Sequence, residues 1–130
     1  MAFTSKSAVK VTGAKEMRKL IRETGDKDLK KELREAHKAA SKVVADRAKV
    51  LVPQRSGALM RSIVPQATQT VGKVKAGRAT VPYAGIIHFG WPMRGIRARP
   101  FLYDASDDRV QQVRDVYEDR MKEIVKKLSA

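Results

Sequence analysis

The stretch that most constrains the fold runs from Val81 to Ala105, VPYAGIIHFGWPMRGIRARPFLYDA. It holds two of the chain's three Phe, two of its three Tyr, the only Trp, three of the five Pro and three of the eight Gly. Large rings need burial or a partner, while Pro and Gly fix or free the backbone between them. Such a segment specifies a shape, whereas the charged amphipathic patterns on either side can pack against many surfaces. Arg94, Arg97 and Arg99 sit among the rings, and no acid appears until Asp104. The stretch therefore reads as a shaped, basic, partly exposed loop and as the functional centre.

Charge distribution sharpens this. The 130-residue chain carries a net charge of +14. Residues 53–103 hold 8 Lys or Arg and no Asp or Glu, whereas residues 104–130 hold 6 basic and 7 acidic residues. A segment with one sign of charge cannot pair its charges internally, so its counter-charges come from solvent ions, another segment, another subunit or a polyanion. Apolar content of 42% suits one folded domain of this length. With no Cys there is no disulfide framework and no thiolate metal site. No apolar run approaches a membrane span, and MAFTSKSAVKVTG lacks the apolar core of a secretory signal. A cytosol-like compartment is the expectation.

Taken in order, Ala8–Thr12 alternates apolar and polar and reads as a short strand or arm within residues 1–13. Met17, Leu20 and Ile21 predict a helix over Lys15–Thr24, ended by Gly25. A second helix is expected from Asp28 to Leu51, with Leu29, Leu33, Ala36, Ala40, Val43, Arg47 and Val50 tracing its core stripe. Val52-Pro53 stops it. Ser56 is placed to cap a short turn through Leu59. Residues 53–105 read as a β-rich basic segment, with two or three antiparallel strands between Ile63 and Val81 and with Lys73 and Lys75 on one face. Residues 106–130 read as a last helix, with Asp104, Asp107 and Asp108 at its start and a stripe of Val110, Val113, Tyr117, Met121, Ile124 and Leu128. The expected class is α+β, with a long N-terminal and a C-terminal helix on a small antiparallel sheet.

Catalytic, metal and cofactor signals are absent. His37 lies in a Lys- and Glu-rich helix and reads as a surface residue, and His88 as a half-buried structural one. Ser56, His88 and Asp104 could be drawn as a triad, but no nucleophile motif accompanies them. Gly85, Gly90 and Gly95 match neither a dinucleotide loop nor a phosphate loop. The expectation is no enzymatic step, no cofactor, no metal and no small-molecule substrate. The cations leave three readings open. Arg55, Arg61, Lys73, Lys75 and Arg78, with the three loop arginines, could hold phosphates without reading bases, could meet acids of a partner, or could form a solvated face.

Several short motifs in fixed order resemble the small neck proteins of long-tailed bacteriophages, the head–tail joining and tail-completion family. They are Val52-Pro53 after a long helix, Ser56-Gly57-Ala58-Leu59 with Arg61-Ser62-Ile63, Pro82-Tyr83-Ala84, Phe89-Gly90, and Arg99-Pro100-Phe101-Leu102 with Ala105. The order covers residues 8–128. His88 stands where that family often has Glu, Ser56 where it often has Thr, and Trp91–Gly95 replaces the usual residues after the Gly. The resemblance implies a structural virion protein of the head–tail junction, held in host cytoplasm during assembly. It also implies a ring, a hexamer first of all, that contacts other neck and tail proteins and touches packaged DNA at most without sequence preference. Tyr83, His88, Phe89, Trp91, Arg94, Arg97, Arg99 and Phe101 would then form the subunit or partner interface. The alternative is a cellular sequence-independent nucleic-acid-binding protein.

Overall fold

Pro53 sets the first boundary, because the residue before a proline is pushed out of helical geometry, and the long helix ends at Leu51. The structure is a computed structural model, and it describes residues 14–25, 27–53, 57–78 and 81–128. The strand expected over Ala8–Thr12, the Ser56 cap and Arg55 lie outside the described residues. Among the described residues, five helices and two strands follow in the order α1 (Ala14–Thr24), α2 (Lys27–Leu51), α3 (Ala58–Ser62), β1 (Val64–Ala67), β2 (Gly72–Lys75), α4 (Ala84–Phe89) and α5 (Phe101–Leu128), with a 3-10 turn at Pro92–Arg94. The class is α+β, with a long N-terminal helix and a C-terminal helix packed on a two-stranded antiparallel sheet.

The two long helices form the frame. Lys27–Leu51 contains no Gly or Pro, carries Asp28 in its first turn and Lys49 in its last, and so suits the helix dipole at both ends. Three side-chain pairs fix α5 antiparallel to it. Arg47 meets Asp108 at 3.0 Å, His37 meets Tyr117 at 2.8 Å, and Glu32 meets Lys127. The two exposed ion pairs set register more than they stabilise. Stability comes from two apolar clusters. One joins α1, the start of α2 and the end of α5 through Ile21, Leu29, Leu33 and Ile124. The other joins the far end of α2 to the central segment through Ala45, Ala48, Val52, Leu59, Ile63, Ala84, Phe101 and Leu102.

The α2 stripe departs from expectation halfway along. Leu29, Leu33, Ala36 and Ala40 are buried, but the stripe then continues through Ser41, Ala45 and Ala48. Val43 and Arg47 are only partly buried and Val50 is 67% exposed. The expected positions follow a strict seven-residue repeat. A straight helix drifts about 20° per heptad from that repeat, so its buried face moves on.

The described part of residues 53–105 holds less sheet than expected, four residues in each strand, and its other regular structure is α3, α4, the 3-10 turn and the start of α5. Val64 pairs with Lys75 and Ala67 with Gly72. Thr68 holds the connection, its Oγ1 accepting from the backbone N–H groups of Thr70 and Val71. Pro65 is tolerated because, among the described residues, β1 has a partner on one side only. A two-stranded hairpin is marginal by itself, and this one lies against α2. A Cβ placed on Gly72 would sit 2.5 Å from the backbone carbonyl oxygen of His37. That oxygen belongs to a helix and cannot swing aside. Gly72→Ala is expected to lower stability by about 1–3 kcal/mol, as overpacking does, read from urea unfolding.

Helix α5 starts at Phe101, not at residue 106. Asp104 N–H donates to the Pro100 carbonyl at 2.9 Å, which begins the helical pattern at the proline. Asp104 then falls in the first turn, where the dipole favours an acid.

Candidate partner-binding surface

The central segment is held by a chain of local constraints. Ser62 is buried, and its hydroxyl donates to the Leu59 carbonyl at 2.6 Å. The same oxygen accepts from Gly77 N–H at 2.9 Å, tying α3 to the end of the hairpin. Arg78 adds a bond from its guanidinium to the Arg61 carbonyl at 2.9 Å. Helix α4 then runs to Gly90, whose φ of 77° lies in the left-handed region. A Cβ there would stand 2.7 Å from the Ala98 backbone nitrogen, so the returning chain crosses directly over this glycine. Trp91 and Ile96 exchange both backbone hydrogen bonds, at 2.9 and 3.0 Å, and close a tight tip around Pro92–Arg94. Arg99 N–H donates to the Ile87 carbonyl at 2.9 Å, fastening the tip's exit to α4.

Under the tip lies a ring cluster. The His88 imidazole makes edge contacts with Phe89 and Tyr103, each at 4.5 Å between centroids, and with Phe101 at 5.3 Å. Two expected interface residues are therefore internal, since His88 is 0% and Phe101 2% exposed. Both were assigned to a contact surface because the loop was read as a unit. His88 turns inward one helical turn after Ala84 on α4, and Phe101 packs into the core at the start of α5. Burial pushes the His88 pKa down and the Asp104 carboxylate pulls against this.

The remaining expected interface residues are at the surface. Every residue from Trp91 to Arg99 is exposed, with Met93 at 94%. Phe89 and Tyr83 are also exposed. Arg94 stacks over the Trp91 ring at 4.9 Å, a cation–π contact that stiffens the tip. Arg61, Lys73, Arg78, Arg94, Arg97 and Arg99 are exposed and Lys75 is half-buried. Among the described residues the ion pairs are Lys42–Asp46, Arg47–Asp108 and Lys127–Glu32, so none of these seven cations is in one. The structure thus brings Trp91, Arg94, Arg97 and Arg99 together on one projection. Lys73 and Lys75 stand apart, on the hairpin.

His37 corrects an expectation. It is 4% exposed, not a surface residue, and its Nδ1 lies 2.8 Å from the Tyr117 hydroxyl with the rings edge to face. Its place between Leu33 and Ala40 on the buried face carried that signal, masked by the charged neighbours. Burial pushes its pKa down, the Gln69 backbone opposes this, and Arg18 adds to the lowering. Burial also pushes the Tyr117 phenol up, so it stays protonated and can donate to a neutral imidazole. Both histidines thus have folded pKa values below the ordinary value of about 6.5. Below that pH the unfolded chain binds more protons than the folded one, so stability is full above it and falls as pH drops through it. The melting temperature is expected to decline between pH 7.5 and 5.5, and His37→Gln is expected to flatten that decline. A decline of unchanged slope in the variant would mean that His37 does not contribute to it.

Among the described residues no group of three or more His, Cys, Asp or Glu could hold a metal ion, and no helix is long and apolar enough to cross a membrane. The sequence placed Ser62 in a motif and Tyr117 on a helix stripe, but the contacts of Ser62 with Gly77 and of Gly72 and Tyr117 with His37 join distant residues and carry no sequence signal. No family model, curated protein or solved structure matches the chain.

Proposed function

We propose that this chain is a structural virion protein of the phage neck, joining the head connector to the tail tube as a tail-completion or tail-termination component. The observation that carries the proposal is the cationic projection. A rigid tip presents apolar and guanidinium groups side by side, and no carboxylate of its own chain pairs with them among the described residues. Such a surface is completed by other molecules. The motifs behind the resemblance add support, because Val52, Leu59, Ile63, Ala84, Phe101, Leu102 and Ala105 share one core cluster.

A ring needs a heterologous contact, one face of the protomer fitting a different face of the next. The tip supplies one face. Exposed Asp104 and Asp107 supply acids for the other, while Asp108 is engaged by Arg47 in its own chain. A hexamer is the proposed assembly, with no catalytic step. The hairpin lysines favour a second reading, a sequence-independent cellular nucleic-acid-binding protein. Depletion during infection separates the two. The neck reading expects DNA-filled heads and finished tails to accumulate unjoined, and expects purified protein to join them in extract. Normal joining without the protein would leave the second reading.

A further inference from the structure

A cleft of about 790 Å³ opens beside the tip. Leu59, Tyr83, Ile87 and Ile96 line its apolar part, and Arg97 and Arg99 stand on its margin. Leu59 belongs to the core and Ile87 packs against it, so these two positions of the floor are fixed. Among the described residues the cleft's lining contains no carboxylate. Arg97 and Arg99 are two residues apart on the chain that leaves the tip, a spacing that sets side chains on the same side of an extended backbone. Both are exposed.

We propose that this cleft takes an extended acidic segment of a partner protein, with an apolar side chain seated among Leu59, Tyr83, Ile87 and Ile96 and its flanking carboxylates on Arg97 and Arg99. The volume lies within the range of ligand pockets. Charge complementarity selects an anion, since the cleft belongs to a segment with 8 cations and no acids. The floor selects a peptide over single-stranded nucleic acid. Bases bind on successive aromatic platforms, whereas three of these four floor residues are aliphatic. The inference rests on the cleft alone, and in the proposed ring it leaves exposed Trp91, Met93 and Arg94, which do not line the cleft, for the neighbouring protomer.

The test is an NMR titration of the full chain with a labelled peptide of alternating Glu and Leu. Alternating Glu–Ser and Lys–Leu peptides and oligothymidylate serve as comparisons. The Glu–Leu peptide is expected to shift the amides of Leu59, Tyr83, Ile87 and Ile96–Arg99, and both other peptides are expected to bind more weakly. Replacing Arg97 and Arg99 together by Ala should lower affinity roughly tenfold, the sum expected of two exposed charge pairs. Both side chains are exposed, so an unchanged circular dichroism spectrum is expected to confirm the variant's fold. The proposal is overturned by no binding of the Glu–Leu peptide, by equal binding of the Glu–Ser peptide, or by unchanged affinity of the double variant. Displacement of the peptide by oligothymidylate would assign the cleft to nucleic acid. Concentration-dependent shifts of the same amides without peptide would assign it to a second copy of the chain. Either result also overturns the proposal.

Discussion

Phe101→Ala is expected to lower the unfolding free energy by about 3–5 kcal/mol, the usual cost of emptying a large buried aromatic site. The ring is 2% exposed and lies in the cluster that joins α2, α3, α4 and α5. It also meets the His88 imidazole edge to face at 5.3 Å. Removing it leaves a cavity under the tip that neighbours cannot fill cheaply, because His88 is already held by Phe89 and Tyr103. Single domains are stable by roughly 5–15 kcal/mol, so the loss is a large fraction of the total. Urea unfolding measures it directly. Under the neck proposal the same variant fails to support joined particles, because the tip loses its foundation. A loss below about 1 kcal/mol would show that the tip does not depend on this ring.

Replacing Lys73 and Lys75 together by Ala is expected to weaken binding to double-stranded DNA and to flatten its salt dependence. Gln66 and Val64 stand opposite these two lysines across the hairpin, so no acid of the ladder competes for them. Each phosphate contact contributes about 0.9 to the slope of log affinity against log salt. Loss of two contacts lowers the slope by about 2 and costs roughly one to two orders of magnitude in affinity near 0.1 M salt. Fluorescence anisotropy over a salt series reads both quantities. An unchanged slope would place these lysines against a protein instead of phosphate. The substitutions remove no core contact, since Lys73 is exposed and Lys75 only half-buried, so folding is expected to survive.

The long helices were legible because their pattern is local. Val113, Tyr117, Met121, Ile124 and Leu128 recur at three and four residues, and each is buried or partly buried. The stop at Val52-Pro53 was equally plain. Helix α4 was hidden. Six residues are too few to form a helix without tertiary support, and Ala84–Phe89 is held by Ala84 and His88 turning into the core. The early start of α5 was hidden for a different reason. Asp104, Asp107 and Asp108 were read as the flag of a beginning, whereas the acids occupy turns already formed.

At the candidate surface the sequence marked the right segment but not its inside. The spacing of Trp91, Arg94, Arg97 and Arg99 was enough to expect an exposed cationic loop. It could not show that Gly90 lets Ala98 pass overhead, or that Ser62 fastens α3 to Gly77. Those contacts fall outside helical and strand spacing, and neither has a periodicity to announce it. His37 is the clearest case, because its own helix pattern placed it inside while the local charge argued for solvent.

The central claim is that a rigid cationic tip on a helical scaffold is completed by other molecules at a head–tail joint. Electron microscopy of joined particles at side-chain resolution tests it most directly. Several copies are expected in a ring at the junction, each with Trp91–Arg99 covered by a neighbouring chain. Particles that lack the protein, or a ring in which that tip faces open solvent, would contradict it.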